Sequence, residues 1–418
     1  MSNLIPDGWN YQPLSSLAEI DKGSLKGSTD PAYQFKYIDI ASVSTGQICL
    51  PTEYISFGEA PSRARKKIRC GDVLMSTVRP NLKSFAYFDT EGDNFVASTG
   101  FSVIRATGGN DGRFIFNSIL ADDITRQIEA LVVGSNYPAI NSSDVKNLEI
   151  LTPTKPEQQK IAAILTSVDD VIEKTQAQID KLKDLKTGMM KDLLTRGVGV
   201  DGKPHTEFKD SPVGRIPKGW GVLPLKSVVQ PIIDCEHKTA PYVDKSDFMV
   251  VRTSNVKNGE LVLNDMKYTH ESGYTEWTKR AIPSIGDVLF TREAPAGESC
   301  LVPEGVKVCM GQRMVLLRPN LDVITPHFFS LFLISEAASQ TIYELSIGTT
   351  VSRINIEDIK RIPCIVPSLN EQKQISDVIQ SIQNSILKKQ KKLKSQVNAK
   401  QALMQDLLTG KVRVKVDS

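Results

Sequence analysis

The segment KDLLTRG at Lys191 to Gly197 returns as QDLLTG at Gln405 to Gly410, a shift of 214 residues in a chain of 418. Internal repetition constrains a fold more than composition does, because both copies must build the same unit. The same shift carries Pro153, Glu157, Gln158 and Ile161 onto Pro367, Glu371, Gln372 and Ile375 without a gap. Upstream, Gly134, Ile140, Asn141 and Asp144 fall on Gly348, Ile354, Asn355 and Asp358. Further back the offset drifts by a few residues: IRCGDVLMSTVRP resembles IPSIGDVLFTREAP, and PDGWNYQPL at Pro6 to Leu14 resembles PKGWGVLPL at Pro217 to Leu225. The chain therefore reads as a duplication of one unit of roughly 210 residues. Between the conserved pieces, DKGSLKGSTDPAYQFKYIDIASVS and PIIDCEHKTAPYVDKSDFMVVRTSNV share only length and an alternating, strand-like texture. Each unit is a variable domain followed by a near-constant segment.

The constant segments carry helical periodicity. Taking Ile161 as a heptad a position puts Val168, Thr175, Leu182 and Met189 at the following a positions, with d and e holding most other apolar residues. This predicts an amphipathic helix about 60 Å long. The second copy repeats the stripe through Ile375, Val378, Ile379, Ile382, Ile386, Leu393, Leu403 and Leu407. Pro156 suits a first helical turn, and Gly197 and Gly410 suit helix stops. A long helix with one apolar face needs a partner, and the matching face is its own repeat. If the second variable domain brings its ends together, the two helices pack antiparallel. The expectation is an α+β fold with two pseudo-two-fold-related strand-rich domains separated by an antiparallel pair of long coiled-coil helices. The boundaries fall at 1–153 for the first domain, 154–200 for the first helical spacer, 201–366 for the second domain and 367–418 for the second spacer. The competing reading makes the helices core elements of an ordinary globular protein. The lysine run KKQKKLK at Lys388 to Lys394 suits a solvated face rather than a DNA contact, and it weakens the a/d stripe there, as a wet or partner-covered seam would.

Several function classes are excluded by what the chain lacks. No apolar run approaches the roughly 18 residues of a membrane span, and the N-terminus has no secretory signature, so a cytoplasmic protein is expected. The six cysteines include no CxxC pair and read as isolated reduced thiols. The four histidines, His205, His237, His270 and His327, do not cluster, so no metal site is expected. Phosphate-binding GxxxxGK[ST], HExxH and base-holding DPPY or NPPF motifs are all absent, and SNYPAI at Ser135 to Ile140 lacks the leading acid such a motif needs. No catalytic residue and no cofactor is implied. A net charge of +3 and a pI near 8.3 permit a nucleic-acid partner without announcing one.

The order PxGW, variable strand-rich domain, GDVL, IN…D, P…EQ…I and a long helix ending in DLLTG, all of it twice, resembles the specificity subunit of Type I restriction-modification systems. The resemblance spans essentially the whole chain. It implies two target-recognition domains, each reading one half of a split double-stranded DNA sequence. It also implies two conserved helices that act as a ruler and dock two DNA methyltransferase subunits, with restriction subunits joining the full complex. Two readers on a rigid spacer should recognise half-sites at fixed separation, and divergent readers should recognise different halves. The alternative from another class is a repeat-built scaffold that binds proteins only.

Base readout calls for Arg or Lys at guanine, Asn or Gln at adenine, and small polar groups at phosphate. In the first domain the loop STVRPNLKS offers Arg79, Asn81 and Lys83, and Arg63, Arg65, Lys66 and Lys67 form a basic run suited to phosphate. In the second, FTREAPAGE offers Arg292 and Glu293. GSNYPAIN contributes Ser135, Asn136 and Tyr137, and its counterpart GTTVSRIN contributes Thr349, Thr350 and Arg353. Asn141 and Asn355 read as turn or capping residues, since an identical residue cannot discriminate two different half-sites. DCEHKTAPY resembles a family stretch, which makes His237, Lys238 and Thr239 candidates; the first domain has no equivalent histidine. Arg313 in GQRMVLLRP is a further family-like candidate, with pairing to Asp287 as its structural alternative.

Overall fold

Two helices, Lys155–Arg196 and Leu369–Leu408, run for 42 and 40 residues in a computed structural model that describes residues 5–92, 94–132, 138–199, 202–348 and 352–416. Each opens on a Ser/Thr-x-x-Glu sequence. The Glu157 carboxylate accepts from the Thr154 backbone N–H at 3.2 Å, and the Ser368 hydroxyl accepts from the Glu371 N–H at 3.3 Å. Each stops at a glycine with positive φ, +66° at Gly197 and +70° at Gly410, where only a residue without Cβ is unstrained.

By internal contacts the chain divides into two compact units, Met1–Ala177 with Gln390–Ser418, and Gln178–Lys389. Each unit thus contains one variable domain, the start of the helix that follows it and the end of the other long helix. In the first unit, an antiparallel sheet runs in the order Ala18–Ile20, Phe101–Ala106, Asp72–Ser76, Phe85–Tyr87. A second, mixed sheet orders Ile55–Ser56, Gln34–Ile38, Phe95–Ser98, Ala64–Ile68, with Gln34–Ile38 parallel to Phe95–Ser98. The second unit repeats this plan with one strand fewer in its mixed sheet. Its antiparallel sheet is Val229–Asp234, Met314–Pro319, Val288–Thr291, Ser299–Leu301, and its mixed sheet is Lys267–Thr269, Phe248–Val251, Lys307–Met310, with the last two parallel. The stretches that share only texture in sequence therefore share a topology. What the two have kept is a buried apolar strand, as in Phe35 and Ile38 against Val250 and Val251.

A strand after each GW motif closes each domain onto the strand before its long helix: Asn10–Pro13 pairs with Glu149–Thr152, and Gly221–Pro224 with Pro363–Val366. Domain ends are therefore adjacent. The indole N–H of Trp220 donates to Glu371 Oε2 at 2.9 Å, while Glu371 Oε1 accepts from the Val198 and Gly199 amides and lies 2.8 Å from His205 Nε2. In the first unit, Trp9 donates to Glu157 at 3.4 Å and Arg413 pairs with the same carboxylate at 2.7 Å. A Cβ on Gly197 would lie 2.3 Å from Glu371 Oε1, and one on Gly410 2.3 Å from Pro6. The GW, EQ and LLTG motifs of the repeat converge here, and in each unit the LLTG end comes from the other copy.

Within each unit the helical segments run antiparallel. In the first, Asp169 pairs with Lys400 at 2.6 Å and Glu157 with Arg413. In the second, Gln178 meets Lys389 at 2.6 Å and Gln383 meets Lys186 at 2.9 Å. Lys389, at the head of the lysine run, thus joins the seam, while Lys388, Lys391, Lys392 and Lys394 stay exposed. The first helix buries Ile161, Thr175, Leu165, Ile179 and Leu193, which occupy a and e positions, and leaves Val171 and Leu185 at d half exposed, at 47% and 49%. This narrows the expected a, d and e stripe. Among the described residues no helix is long and apolar enough to cross a membrane.

Candidate nucleic-acid interface

Both domains build their candidate loops on one backbone mesh. In the first domain the Thr77 N–H donates to Gly100 O at 2.8 Å, Ile140 N–H donates to Thr77 O, and Val78 forms a β-bridge with Ala139. In the second, Arg292 N–H donates to Arg313 O at 2.9 Å, Ile354 N–H donates to Arg292 O, and Glu293 bridges Arg353. Thr77, Val78, Gly100 and Ala139 thus occupy the places of Arg292, Glu293, Arg313 and Arg353. Five residues away along the same strands, both domains repeat an ion pair on a buried aspartate, Asp72 with Arg105 at 2.6 Å and Asp287 with Arg318 at 2.7 Å. Hydrogen bonding to the aspartate raises the pKa of each arginine above its already high value, against the opposing effect of burial. Arg318, rather than Arg313, is the partner of Asp287, because Arg318 lies on the strand that runs beside the aspartate.

In the first domain, Arg79 and Lys83 flank the short 3₁₀ turn Pro80–Leu82, both with left-handed backbone, φ +49° and +50°. Arg79 and Asn81 are exposed. Lys83 is half-buried and its Nζ donates to Leu120 O at 3.1 Å, so it fastens the loop to a helix C-terminus. Arg63 sits in the exposed turn before the strand Ala64–Ile68. Strand alternation then divides the basic run. Arg65 lies over the Phe57 ring at 4.7 Å and Lys67 over Tyr33 at 5.6 Å, whereas Lys66 turns the other way to Asp21 at 2.7 Å. Ser135, Asn136 and Tyr137, like Thr349 and Thr350, lie outside the described residues. Asn141 caps a helix, accepting from the Ser143 and Asp144 amides. Asn355 holds the matching N-cap place without a side-chain cap bond.

In the second domain the structure brings five candidates together. Arg292 is buried, and its guanidinium donates to Asp234 Oδ2 at 2.6 Å; His237 Nε2 lies 3.2 Å from the same oxygen. Glu293 stands between Arg313 and Arg353, each with its Nε 3.4 Å from one carboxylate oxygen. His237, Arg292, Glu293, Gln312 and Arg313 line a shallow pocket of about 190 Å³. Lys238 and Thr239 are exposed on the adjoining loop. Sequence reasoning missed Asp234, which holds Arg292 and His237, and Gln312, whose amide donates to His237 O at 3.2 Å. The sequence did carry a signal for Asp234, since an Ile-Asp pair, Ile20-Asp21 and Ile233-Asp234, follows the GW segment in both copies. Among the described residues no group of three or more His, Cys, Asp or Glu side chains is placed to hold a metal ion.

The family described as Type I restriction modification DNA specificity domain matches the chain twice, over residues 6–184 and 217–399. A putative type I restriction enzyme MjaX specificity subunit from Methanocaldococcus jannaschii is 24% identical over 419 residues, covering 98% of this chain and 95% of that relative. A chain from a structure described as the basis of complex assembly and conformational transition of the type I restriction-modification system aligns with a TM-score of 0.61 at 23% identity, covering 98% of this chain and 100% of the other. The S subunit of a Type I restriction-modification system from M. genitalium aligns at 0.57 and 15% identity, covering 97% of both. These solved structures share the fold.

Proposed function

The chain belongs to the Type I restriction-modification DNA specificity family, as a non-catalytic targeting subunit, and from that premise we propose that each strand-rich domain reads one half of an asymmetric bipartite target on double-stranded DNA. The observation that carries this reading is the repeated backbone mesh whose residues do not repeat: Thr77, Val78, Gly100 and Ala139 against Arg292, Glu293, Arg313 and Arg353. A common scaffold with divergent tips is what two readers of different sequences require. Residues 1–153 and 201–366 act as the recognition domains, and 154–200 and 367–418 as helical spacers that fix half-site separation.

The same helices dock two DNA methyltransferase subunits, and restriction and translocation subunits join in the full complex, which works on DNA in the cytoplasm. Support for docking comes from the exposed apolar side chains on the helices, Val171, Leu185, Leu387 and Val397, which the chain leaves uncovered. Arg79, Asn81, Arg63, Arg65 and Lys67 contact DNA from the first domain; Arg313, Arg353, His237, Lys238 and Thr239 do so from the second. Lys66, Lys83 and Arg292 support these loops from below, through Asp21, Leu120 O and Asp234.

The test is salt-dependent DNA binding by the chain co-expressed with its neighbouring methyltransferase subunits. Protection of a split sequence is expected. Sequence-independent or absent binding would favour the protein-only scaffold. Arg79→Ala with Asn81→Ala should weaken one half-site and spare the other; equal loss at both would remove that loop from base reading.

A further inference from the structure

Arg313 and Arg353 differ from every other arginine of the second domain's cluster in what holds them. Arg292 is buried against Asp234 at 2.6 Å, and Arg280 pairs with Glu236 at 3.2 Å. Arg313 and Arg353 are 54% and 56% exposed, and each comes nearest Glu293 through Nε, at 3.4 Å. That distance is long for a charge-assisted hydrogen bond, so the carboxylate orients the two guanidinium groups without saturating them. Among the described residues, the terminal nitrogens of both have no further partner. Arg313 also holds a left-handed backbone, φ +70°, which side-chain-bearing residues rarely adopt. Its counterpart in the first domain is Gly100, while those of Glu293 and Arg353 are Val78 and Ala139, so the charged trio has no equivalent there.

Two chemistries recruit arginine on DNA. A phosphate clamp is served by unopposed positive charge, and Glu293 between the two arginines works against it by repelling phosphate. Guanine is recognised through O6 and N7 by a guanidinium fork whose orientation is fixed, and a neighbouring carboxylate supplies that orientation without blocking the fork. Resting on the DNA-reading function above, we propose that the half-site of the second domain contains guanine, read in the major groove by Arg313 and Arg353, with Glu293 as their shared positioning residue. The first domain reads its half with other chemistry.

The experiment selects targets from a randomised duplex library using the complex with its methyltransferase subunits, for the wild-type chain and for Arg313→Lys, Arg353→Lys, Arg353→Gln and Glu293→Gln. If the wild-type complex selects no split sequence, the DNA-reading function itself fails, and this inference with it. Given a split sequence, each Arg→Lys variant should lose roughly tenfold or more of its preference for guanine at one position of one half, with the other half unchanged. Lysine keeps the ion pair with Glu293 and loses the fork, so folding and charge are retained. Glu293→Gln should soften both positions together. The inference is overturned if the lysine variants keep the wild-type base preference, or if the altered positions carry no G·C pair. It is equally overturned if Arg353→Gln weakens all sequences uniformly and lowers the salt dependence, as loss of a phosphate contact does.

Discussion

Gly197 is a residue at which the repeat tolerates little change. Its φ of +66° strains any side chain on backbone grounds, and a Cβ would stand 2.3 Å from Glu371 Oε1 and 2.8 Å from the Trp220 ring. Gly197→Ala should cost at least about 1–2 kcal/mol from the backbone alone, before the displaced carboxylate is counted. A thermal melt of the intact chain reads this directly; an unchanged midpoint would mean that the contact relaxes freely. Asp287 gives a second residue-scale prediction. It is 2% exposed and fully engaged by Arg318 and the Ser284 amide, so Asp287→Ala removes the acceptor of both, leaving Arg318, itself about a third exposed, with only Ile282 O. The expected loss is about 1–3 kcal/mol, since water reaches the freed guanidinium, checked by denaturant unfolding. At this scale the sequence was a partial guide. It marked Arg292, Lys66 and Lys83 as DNA-contact candidates by their charge, and strand alternation and turn geometry turn these three inward.

The long helices were legible because a 3.6-residue period, a capping sequence and a terminal glycine all agree along their lengths. Which heptad positions form the seam was not legible. Apolar residues at a, d and e describe a stripe broader than one partner helix can cover, and packing selected a and e. The uncovered d residues set the element-scale prediction. Val171→Glu with Leu185→Glu should leave the melting temperature within a degree or two, since both side chains are about half exposed. The same change should weaken co-purification of methyltransferase subunits by tenfold or more, read by quantitative pull-down. Retained binding would place the docking surface elsewhere.

On the scale of the whole molecule, both units are clasped by a carboxylate, Glu157 in one and Glu371 in the other. Burial alone would raise the pKa of each. For Glu371 the hydrogen bonds from His205, Trp220 and two amides overcome that effect, and for Glu157 those from Arg413, Thr154 and Trp9 do, so both are held below the usual carboxylate value of 4.5. A depressed folded pKa gives stability that is present above the unfolded value and lost as pH falls through the folded one. The stability gap between the wild-type chain and Glu371→Gln should therefore be constant from pH 8 to about 5.5 and close below 4.5. Melting curves across that range provide the check, and a gap that persisted at pH 3 would contradict it.

The sequence by itself determined the duplication, the two long helices with their ends, and the absence of known catalytic motifs, because each is written in local order and spacing. Tertiary structure alone decided what the repeated motifs do. GW, EQ and LLTG lie far apart in the chain, and their roles exist only where Trp220, Glu371 and Gly197 meet in one unit and Trp9, Glu157 and Gly410 in the other. It also decided which non-repeating side chains face outward. That depends on the mesh beneath them, whose hydrogen bonds join backbone groups and leave almost no trace in residue identity.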